Sequence, residues 1–523
     1  MGNSISMNIY VSTKYIIRIS TVLIVIILYS ACQTSDEQLK KYPQTGIVKV
    51  GIPNWFETSN PLYEDSSAYS AWGPGIAYSR ILKYTNSPDL YQLQNPHQLT
   101  CDVCAKWTMQ SLTEFDFLIK DDIKWTNVNN NEEYLSAYDV EYSFKSKNES
   151  EFQNNHTLHM IETIQAKSDK NLSITLNYPD ADFLTSIANG KNKIIKKNDT
   201  SASSGSWILD EYIPYTLTRM SKSLDSKSIP NIDSIEFTYI PNDEARYSAY
   251  MVGLTDIYSF DDSESVFDDI KPKLLYRHSG LGLEFTINTK AEPFNDVLIR
   301  QALMYSINPT QIIEEAWSGR GYFSLGFPVS DKNWLPENTI WSNYFNSHSK
   351  ATKILQESGI SLPINIEITS SDYGEKYTKS LEIISENLTA VGFNPSIKML
   401  SRRDYSMNSV LAGDFQINIG PPFPQTTPNG YLLPMMHSSG KWNTSGYSNK
   451  YLDDLLINQS RAYNNLERAS LIQEINIHVL DNAYKFMPVT TIEAWGWADN
   501  IQNFNPILKN DEYSYWGKIW VSQ

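Results

Sequence analysis

The chain has 523 residues, with 59 acidic against 43 basic side chains and a formal charge of -16. That balance argues against a general nucleic-acid binder and against a surface drawn to anionic lipid, because both need clustered lysine and arginine. Hydrophobic content of 41% beside 20% charged residues describes a foldable globular chain, and the length predicts roughly three domain-sized units.

Lys14 and Arg18 precede an apolar run over Ile19–Leu28. This run is too short to cross a bilayer core, which needs about 20 apolar residues. Basic residues, a short apolar core and then small residues predict a secretory signal peptide over residues 1–31. The polar stretch 32–44 is then a tether. Gly46–Ile52 alternates and is β-branched, so it predicts a strand, and Ala68–Tyr84 predicts a helix leading into another strand. Cys101-Asp-Val-Cys104 allows a redox pair, half a zinc site or a disulfide. No second CxxC exists, His97 is the only nearby histidine, and strand-like sequence follows at Phe115–Ile119. A structural disulfide or a pair of free thiols is therefore expected of an exported chain.

Ser136 is a candidate N-cap for a helix with acids in its first turn. A strand over Asn171–Tyr178, a short helix over Ala181–Ala188 and an exposed loop over Lys191–Gly205 follow. Ile235–Ile240 reads as strand, and Asp243–Val252 as a helix stopped by Gly253. The composition shifts to an acidic, poorly periodic stretch at Ser259–Lys273, and a new strand begins at Leu283. Asp296–Ile307 is a helix, and Asn308-Pro309 opens another over Thr310–Trp317. Strands from Ile364 and over Ser396–Leu400 alternate with helices over Glu375–Val391, Leu452–Ala462 and Leu466–Leu480. Such alternation in both halves predicts an α/β chain with helix-covered sheets.

Catalytic signatures are missing. No GxSxG, HExxH or GxxxxGK[ST] appears, and Ser347/Lys350 and Ser438/Lys441 lack the SDN and KTG elements that give Ser-x-x-Lys its meaning. His156 and His159 have no acidic cluster beside them. Asp121-Asp122 and Asp453-Asp454 are adjacent pairs whose side chains diverge, so they suit turns and helix surfaces. No metal-ligand set and no cofactor motif is present.

Leu28-Tyr-Ser-Ala-Cys32 resembles the lipobox of bacterial lipoproteins, with Tyr29 where that pattern has Leu. The resemblance makes Cys32 the lipid anchor; an ordinary signal peptide or an uncleaved anchor is the alternative. Further segments, taken in order, resemble family 5 of the extracellular solute-binding proteins of ABC transporters, the oligopeptide, dipeptide and nickel binders. Leu112-Thr-Glu-Phe-Asp-Phe-Leu-Ile-Lys-Asp-Asp-Ile-Lys-Trp is similar to the family's "LTYTFHLRDGVKF", and Ser136-Ala-Tyr-Asp-Val-Glu-Tyr-Ser-Phe to its "TAEDVVYSF". Ile229–Phe237 is similar to "PYLDKIVF", and Pro293–Asn308 is very close to "PFDDVRVRQALNYAID". Tyr447–Leu456 resembles "YSNPEFDALL".

The resemblance implies an α/β, two-lobed periplasmic-binding-protein-like fold (class II, Venus-flytrap) with an extra N-terminal subdomain. Lobe I would span 45–270, with the subdomain at about 85–185; lobe II would span 271–480, and 481–523 would return to lobe I. It also implies a monomeric, lipid-anchored receptor outside the cytoplasm, without catalysis or cofactor. That receptor would trap a peptide-like or other small polar solute for an ABC transporter permease. An exported hydrolase with an unrecognised site, or a non-transport binding or sensor protein on the same fold, are the other readings.

Peptide binders of the family carry "GWTADYADP", whose Asp pairs with the ligand's amino terminus. Here the strand Asp414–Gly420 leads into Pro421-Pro-Phe-Pro424-Gln-Thr-Thr-Pro428, and the expected Asp falls near Pro424. With 12% aromatic residues, including 33 Tyr and 13 Trp, ring contact is the remaining resource for gripping a solute. The candidate ligand contacts are Trp55, Trp72, Phe423, Gln425, Trp442, Asn443 and Trp495. Arg300 is expected to cap or pair at the lobe surface.

Overall fold

The computed structural model describes residues 46–63, 66–84, 99–126, 132–149, 158, 160–261, 273–324, 338–422, 427–506 and 512–522. The signal-peptide, tether and Cys32 expectations lie outside the described residues, as do His156, His159, Phe423, Pro424 and Gln425.

Strand β1 (Ile47–Ile52) buries Val48, Val50 and Ile52, as its alternation predicts. β2 (Leu82–Tyr84) pairs with β3 (Leu99–Cys101). A disulfide from Cys101 to Cys104, with Cα atoms 5.0 Å apart, ties β3 to β4 (Cys104–Ser111) and decides between the readings of the CxxC. β4 joins β5 (Glu114–Ile119), β6 (Ile161–Ala166) and β7 (Asn171–Leu176) in a separate antiparallel sheet of order β4-β5-β7-β6. The inward residues Phe115, Phe117, Leu172 and Ile174 share a core with Val140 and Phe144 of the helix Ala137–Glu149. Ser136 begins that helix with its backbone N–H and hydroxyl both donating to the Asp139 carboxylate, at 2.8 and 2.9 Å.

The chain continues through β8 (Trp207–Ile213), β9 (Leu217–Lys222), β10 (Ser234–Tyr239), β11 (Ile257–Asp261) and β12 (Lys273–Ile287). The later strands are β13 (Gly321–Phe323), β14 (Ile364–Ser371), β15 (Phe393–Leu400), β16 (Ile417–Gly420) and β17 (Lys485–Trp497). Among the described residues these strands and β1 form one sheet, ordered β15-β14-β16-β12-β17-β11-β1-β10-β9-β8, with β13 beside β17.

Among the described residues, two long strands carry that sheet from one lobe to the other. The first half of β12, Lys273–Arg277, pairs with Trp497–Glu493, where β11 also joins β17. The second half, from Gly282 onward, pairs with Thr490–Lys485, where β16 and β13 are attached. Between His278 and Gly282 the register breaks. Gly282 sits in that crossing because backbone leaves no room for a side chain: a Cβ there would lie 2.1 Å from the Val489 carbonyl oxygen. Each side of the crossing has its own apolar core, one around Val50, Phe237 and Trp516 and the other around Phe285, Ile368 and Phe486. At about 1.5–3 kcal/mol for each buried large apolar side chain, either core outweighs the thin connection. Bending is expected at the ribbon and not within a lobe.

Three local expectations change. The helix expected over Ala68–Tyr84 stops at Trp72 and passes into a 3-10 turn over Pro74–Ala77, because Gly73-Pro74 disfavours helical backbone and lacks a donor. The helix beginning at Pro309 is capped by Asn308, as predicted, but widens into a π turn over Ile312–Ala316. The Lys191–Gly205 stretch, expected to be exposed, buries Asn192, Lys193, Ile194 and Ile195. Carbonyl oxygens and one hydroxyl replace water there: Lys193 donates to Ser70 Oγ (2.8 Å) and the Gly190 carbonyl (2.5 Å), and Lys147 to the Lys191 carbonyl (2.6 Å).

Candidate functional site

Strand directions place the site. β1 is parallel to β10 and β11, and β14 is parallel to β15 and β16. β11 is antiparallel to β17, β17 to β12, and β12 to β16. Following these signs along β12, the first-lobe strands β1, β10 and β11 run toward the second lobe, while β14, β15 and β16 run back toward the first. The carboxyl ends of both parallel sets therefore face each other across the crossing. Open α/β sheets bind ligands outside the carboxyl ends of their strands, so the cleft between the lobes combines two such edges.

The first-lobe edge is aromatic. Trp55, just past the end of β1, stacks on Phe56 (centroids 4.6 Å apart) and lies 5.6 Å from Tyr239 at the end of β10. Tyr212 lies nearly parallel to both rings, 6.1 Å from Trp55 and 5.5 Å from Phe56. Trp72 meets Trp495 edge-on at 5.9 Å, and Trp55 and Trp72 both pack on the small cluster of Phe56, Ala68 and Tyr69. Trp495 is only 2% exposed and also contacts Phe504. The indole N–H groups of Trp55 and Trp72 are buried and find no acceptor among the described residues. A buried donor without an acceptor costs about 1–3 kcal/mol.

The second-lobe edge is built on the ends of β14 and β16. Tyr373 lies 5.9 Å from Tyr405 and carries the Arg402 guanidinium 5.3 Å from its ring. Burial, Tyr373 and Glu284 push the Tyr405 phenol well above its ordinary range, so it stays a neutral donor. Trp442 is half-buried against the cluster of Tyr431, Leu432 and Leu452, with the Lys441 ammonium 5.8 Å from its ring. The Asn443 side chain is committed to its own loop, donating to the carbonyls of His437 (3.1 Å) and Tyr447 (2.8 Å) and accepting from Ser445 Oγ (2.7 Å). Of the seven predicted contacts, Trp55, Trp72 and Trp495 pack in one aromatic group of the first lobe, while Trp442 and Asn443 lie in the second lobe on a loop whose Ser445 carbonyl accepts from Thr289, past the end of β12 that points away from the crossing. Phe423 and Gln425 are outside the described residues.

Arg300 is structural but not at the surface. It is 4% exposed and donates to the carbonyls of Asn482 (3.0 Å) and Phe294 (2.7 Å). Sequence reasoning missed a buried group beside the crossing. Lys485 on β17 donates to Glu284 (2.8 Å) and Thr286 (2.6 Å) on β12, and Glu284 also accepts the Tyr431 hydroxyl. Tyr431 lies on the helix Pro428–Met436, so this group connects the crossing strands to the element that follows the proline-rich loop. Glu284 and Thr286 alternate with Leu283, Phe285 and Ile287, which is the pattern of a strand with one solvated face, so nothing local marked them as buried.

A polar cavity of about 240 Å³ lies wholly in the first lobe, between Trp207, Lys120 and Gly517. Its lysines are already paired, Lys83 with Asp102 at 3.0 Å and Lys227 with Asp122 at 2.7 Å. It is away from the cleft. Among the described residues no group of histidine, cysteine and acidic side chains could hold a metal, and no helix is long and apolar enough to cross a membrane.

Two lobes on separate cores, joined by a two-strand ribbon with facing strand ends, define the class as a two-lobed solute-binding protein. The model of the bacterial extracellular solute-binding proteins, family 5, matches residues 98–444, and the chain belongs to that family. It is 25% identical over 368 residues to heme-binding protein A of Haemophilus influenzae, covering 63% of this chain and 64% of that one. It is 21% identical over 434 residues to the dipeptide-binding protein of Escherichia coli, covering 73% and 79%. The periplasmic binding protein DppA of Helicobacter pylori, solved with the peptide STSA, superposes with a TM-score of 0.71 at 18% identity over 93% of this chain and 100% of that one.

Proposed function

We propose that this protein is an extracytoplasmic receptor of an ABC importer, closing its lobes on a peptide-like or other small polar solute for a membrane permease. The observation that carries the reading is the pair of facing strand edges with Trp55 and Trp72 holding unpartnered indole donors on one side. Membership in a family of binding proteins supports a role without turnover or cofactor. The names of the relatives, heme-binding, dipeptide-binding and peptide-bound, support a solute of that size range. The contacts are proposed to be Trp55, Trp72, Phe423, Gln425, Trp442, Asn443 and Trp495. With Pro424 where peptide binders have an Asp, stacking and apolar contact carry more of the affinity than an ammonium ion pair. Cys32 is proposed as the lipid anchor of a monomer.

Native mass spectrometry of protein purified without refolding is expected to detect a co-purified solute. Thermal-shift panels of short peptides, heme and metal chelates are expected to find a stabilising ligand. Trp55→Phe and Trp72→Phe each remove one N–H and are expected to weaken that ligand by about 2- to 10-fold, the worth of one hydrogen bond. No co-purified mass together with no shift in any panel would overturn the receptor reading. Turnover of a bound compound would favour the hydrolase.

A further inference from the structure

The lobes also meet away from the aromatic wall, in a contact made of buried polar groups. Asp180 and Asp182, in the loop after β7, are 1% and 3% exposed. Across from them, Asn429 opens the helix Pro428–Met436, Gln459 and Ser460 close the helix Lys450–Arg461, and Arg468 lies in the helix Asn465–Asn482. Arg468 Nη1 donates to Asp182 Oδ1 at 2.5 Å, and the Asn429 backbone N–H donates to Asp182 Oδ2 at 2.8 Å. The Asn429 side-chain amide donates to Asp180 Oδ1 at 2.6 Å, and the Ala181 N–H to the Ser460 carbonyl at 2.8 Å. Gln459 and Arg468 both donate to Asn429 Oδ1, at 2.8 and 3.1 Å. Arg468 is 2% exposed and Gln459 fully buried.

We infer that this cluster is a closure lock: its first-lobe and second-lobe halves engage only when the lobes close, so closing, and with it solute affinity, is set partly here and not by the solute alone. The inference rests on the receptor reading above. The chemistry favours a switchable contact over a greasy one. Both halves are soluble when apart, because Arg468 keeps Gln459 and Asn429 as partners in its own lobe while the aspartates return to water. An apolar contact of that size would hold the lobes shut without a solute.

The lock is also acid-sensitive. Burial, then the neighbouring Asp182 charge, push the Asp180 carboxyl up from 3.8 to about 6, against the opposing hydrogen bonds and Arg468. Of the other groups facing it, Tyr178 and Tyr463 are themselves pushed up to about 12 by burial and by Asp180, so both stay neutral. An acid raised on closing takes up a proton between about pH 4 and pH 6, so closure strengthens as the pH falls through that window.

Small-angle scattering of the solute-free full-length protein reads this directly. The wild type is expected to be more closed at about pH 5 than at about pH 7.5. Asp180→Asn, neutral throughout, is expected to remove that dependence. Asp182→Asn and Asn429→Ala are each expected to lower the closed-to-open ratio at least about tenfold, the usual scale for truncating a buried hydrogen-bonded charge pair. Circular dichroism checks that each variant is folded, and Asp182→Asn leaves the second-lobe bonds of Arg468 in place. Folded variants with unchanged scattering, or a pH-independent wild type, would overturn the lock. Either result would leave solute capture by native mass spectrometry untouched, so failure of the lock is separable from failure of the receptor reading.

Discussion

Arg80 and Glu512 pair at 2.9 Å while 1% and 0% exposed, joining the start of the first lobe to the end of the chain. Burial alone would raise the Glu512 carboxyl. The charge and hydrogen bond of Arg80, with the Ser514 hydroxyl and backbone N–H, outweigh it and hold the group below its ordinary 4.5. A carboxyl depressed by folding contributes stability at pH values above its unfolded pKa and loses it as the pH falls through the folded one. Stability in chemical denaturation is therefore expected to decline as the pH drops below about 4.5. At neutral pH, Arg80→Ala is expected to cost about 3–5 kcal/mol, since it strands a buried charge. A variant that melts like the wild type would show that water reaches Glu512. Neither residue stands out in the sequence, because 432 positions separate them.

At the scale of elements, the crossing ribbon is the part on which motion depends. Gly282 has ordinary extended backbone, so its requirement is space and not conformation. Because the nearest atoms are the carbonyl oxygen of Val489 and the Cα of Thr490, a methyl group must push β12 and β17 apart. Gly282→Ala is expected to destabilise the protein by about 1–3 kcal/mol in chemical denaturation, the usual cost of overpacking. An unchanged midpoint would mean that the ribbon is already loose there. Helix ends, by contrast, follow local rules. Asn242, Asp296, Asn308 and Asn449 each accept a backbone N–H as N-caps, and Gly392 closes the helix Glu375–Val391 at φ 119°. Such signals act within one turn, which is why they could be read from the chain alone.

For the whole molecule, the fold places each lobe on its own core, and among the described residues β12 and β17 carry the sheet from one to the other. Rigid lobes on a thin connection close as bodies, so a stabilising solute is expected to reduce the radius of gyration in solution scattering without changing the circular dichroism spectrum. A solute that binds with no compaction would place recognition within one lobe.

The sequence by itself determined the α/β class, most elements and the family. Period-two and period-3.6 patterns, caps and ordered motifs are all local, and the stretch Pro293–Asn308 carries much of the resemblance. It also flagged the aromatic residues, though not their neighbours. Only the tertiary structure decided which of them share a wall, and that Lys193 is buried by carbonyls. It alone paired Arg468, which occupies the stripe of Ile472, Ile475 and Val479 like a misplaced polar residue, with Asp182. The physical reason is distance along the chain. A charge inside an apolar stripe announces that a partner exists, but burial and long-range pairing, here across 286 residues, choose which one.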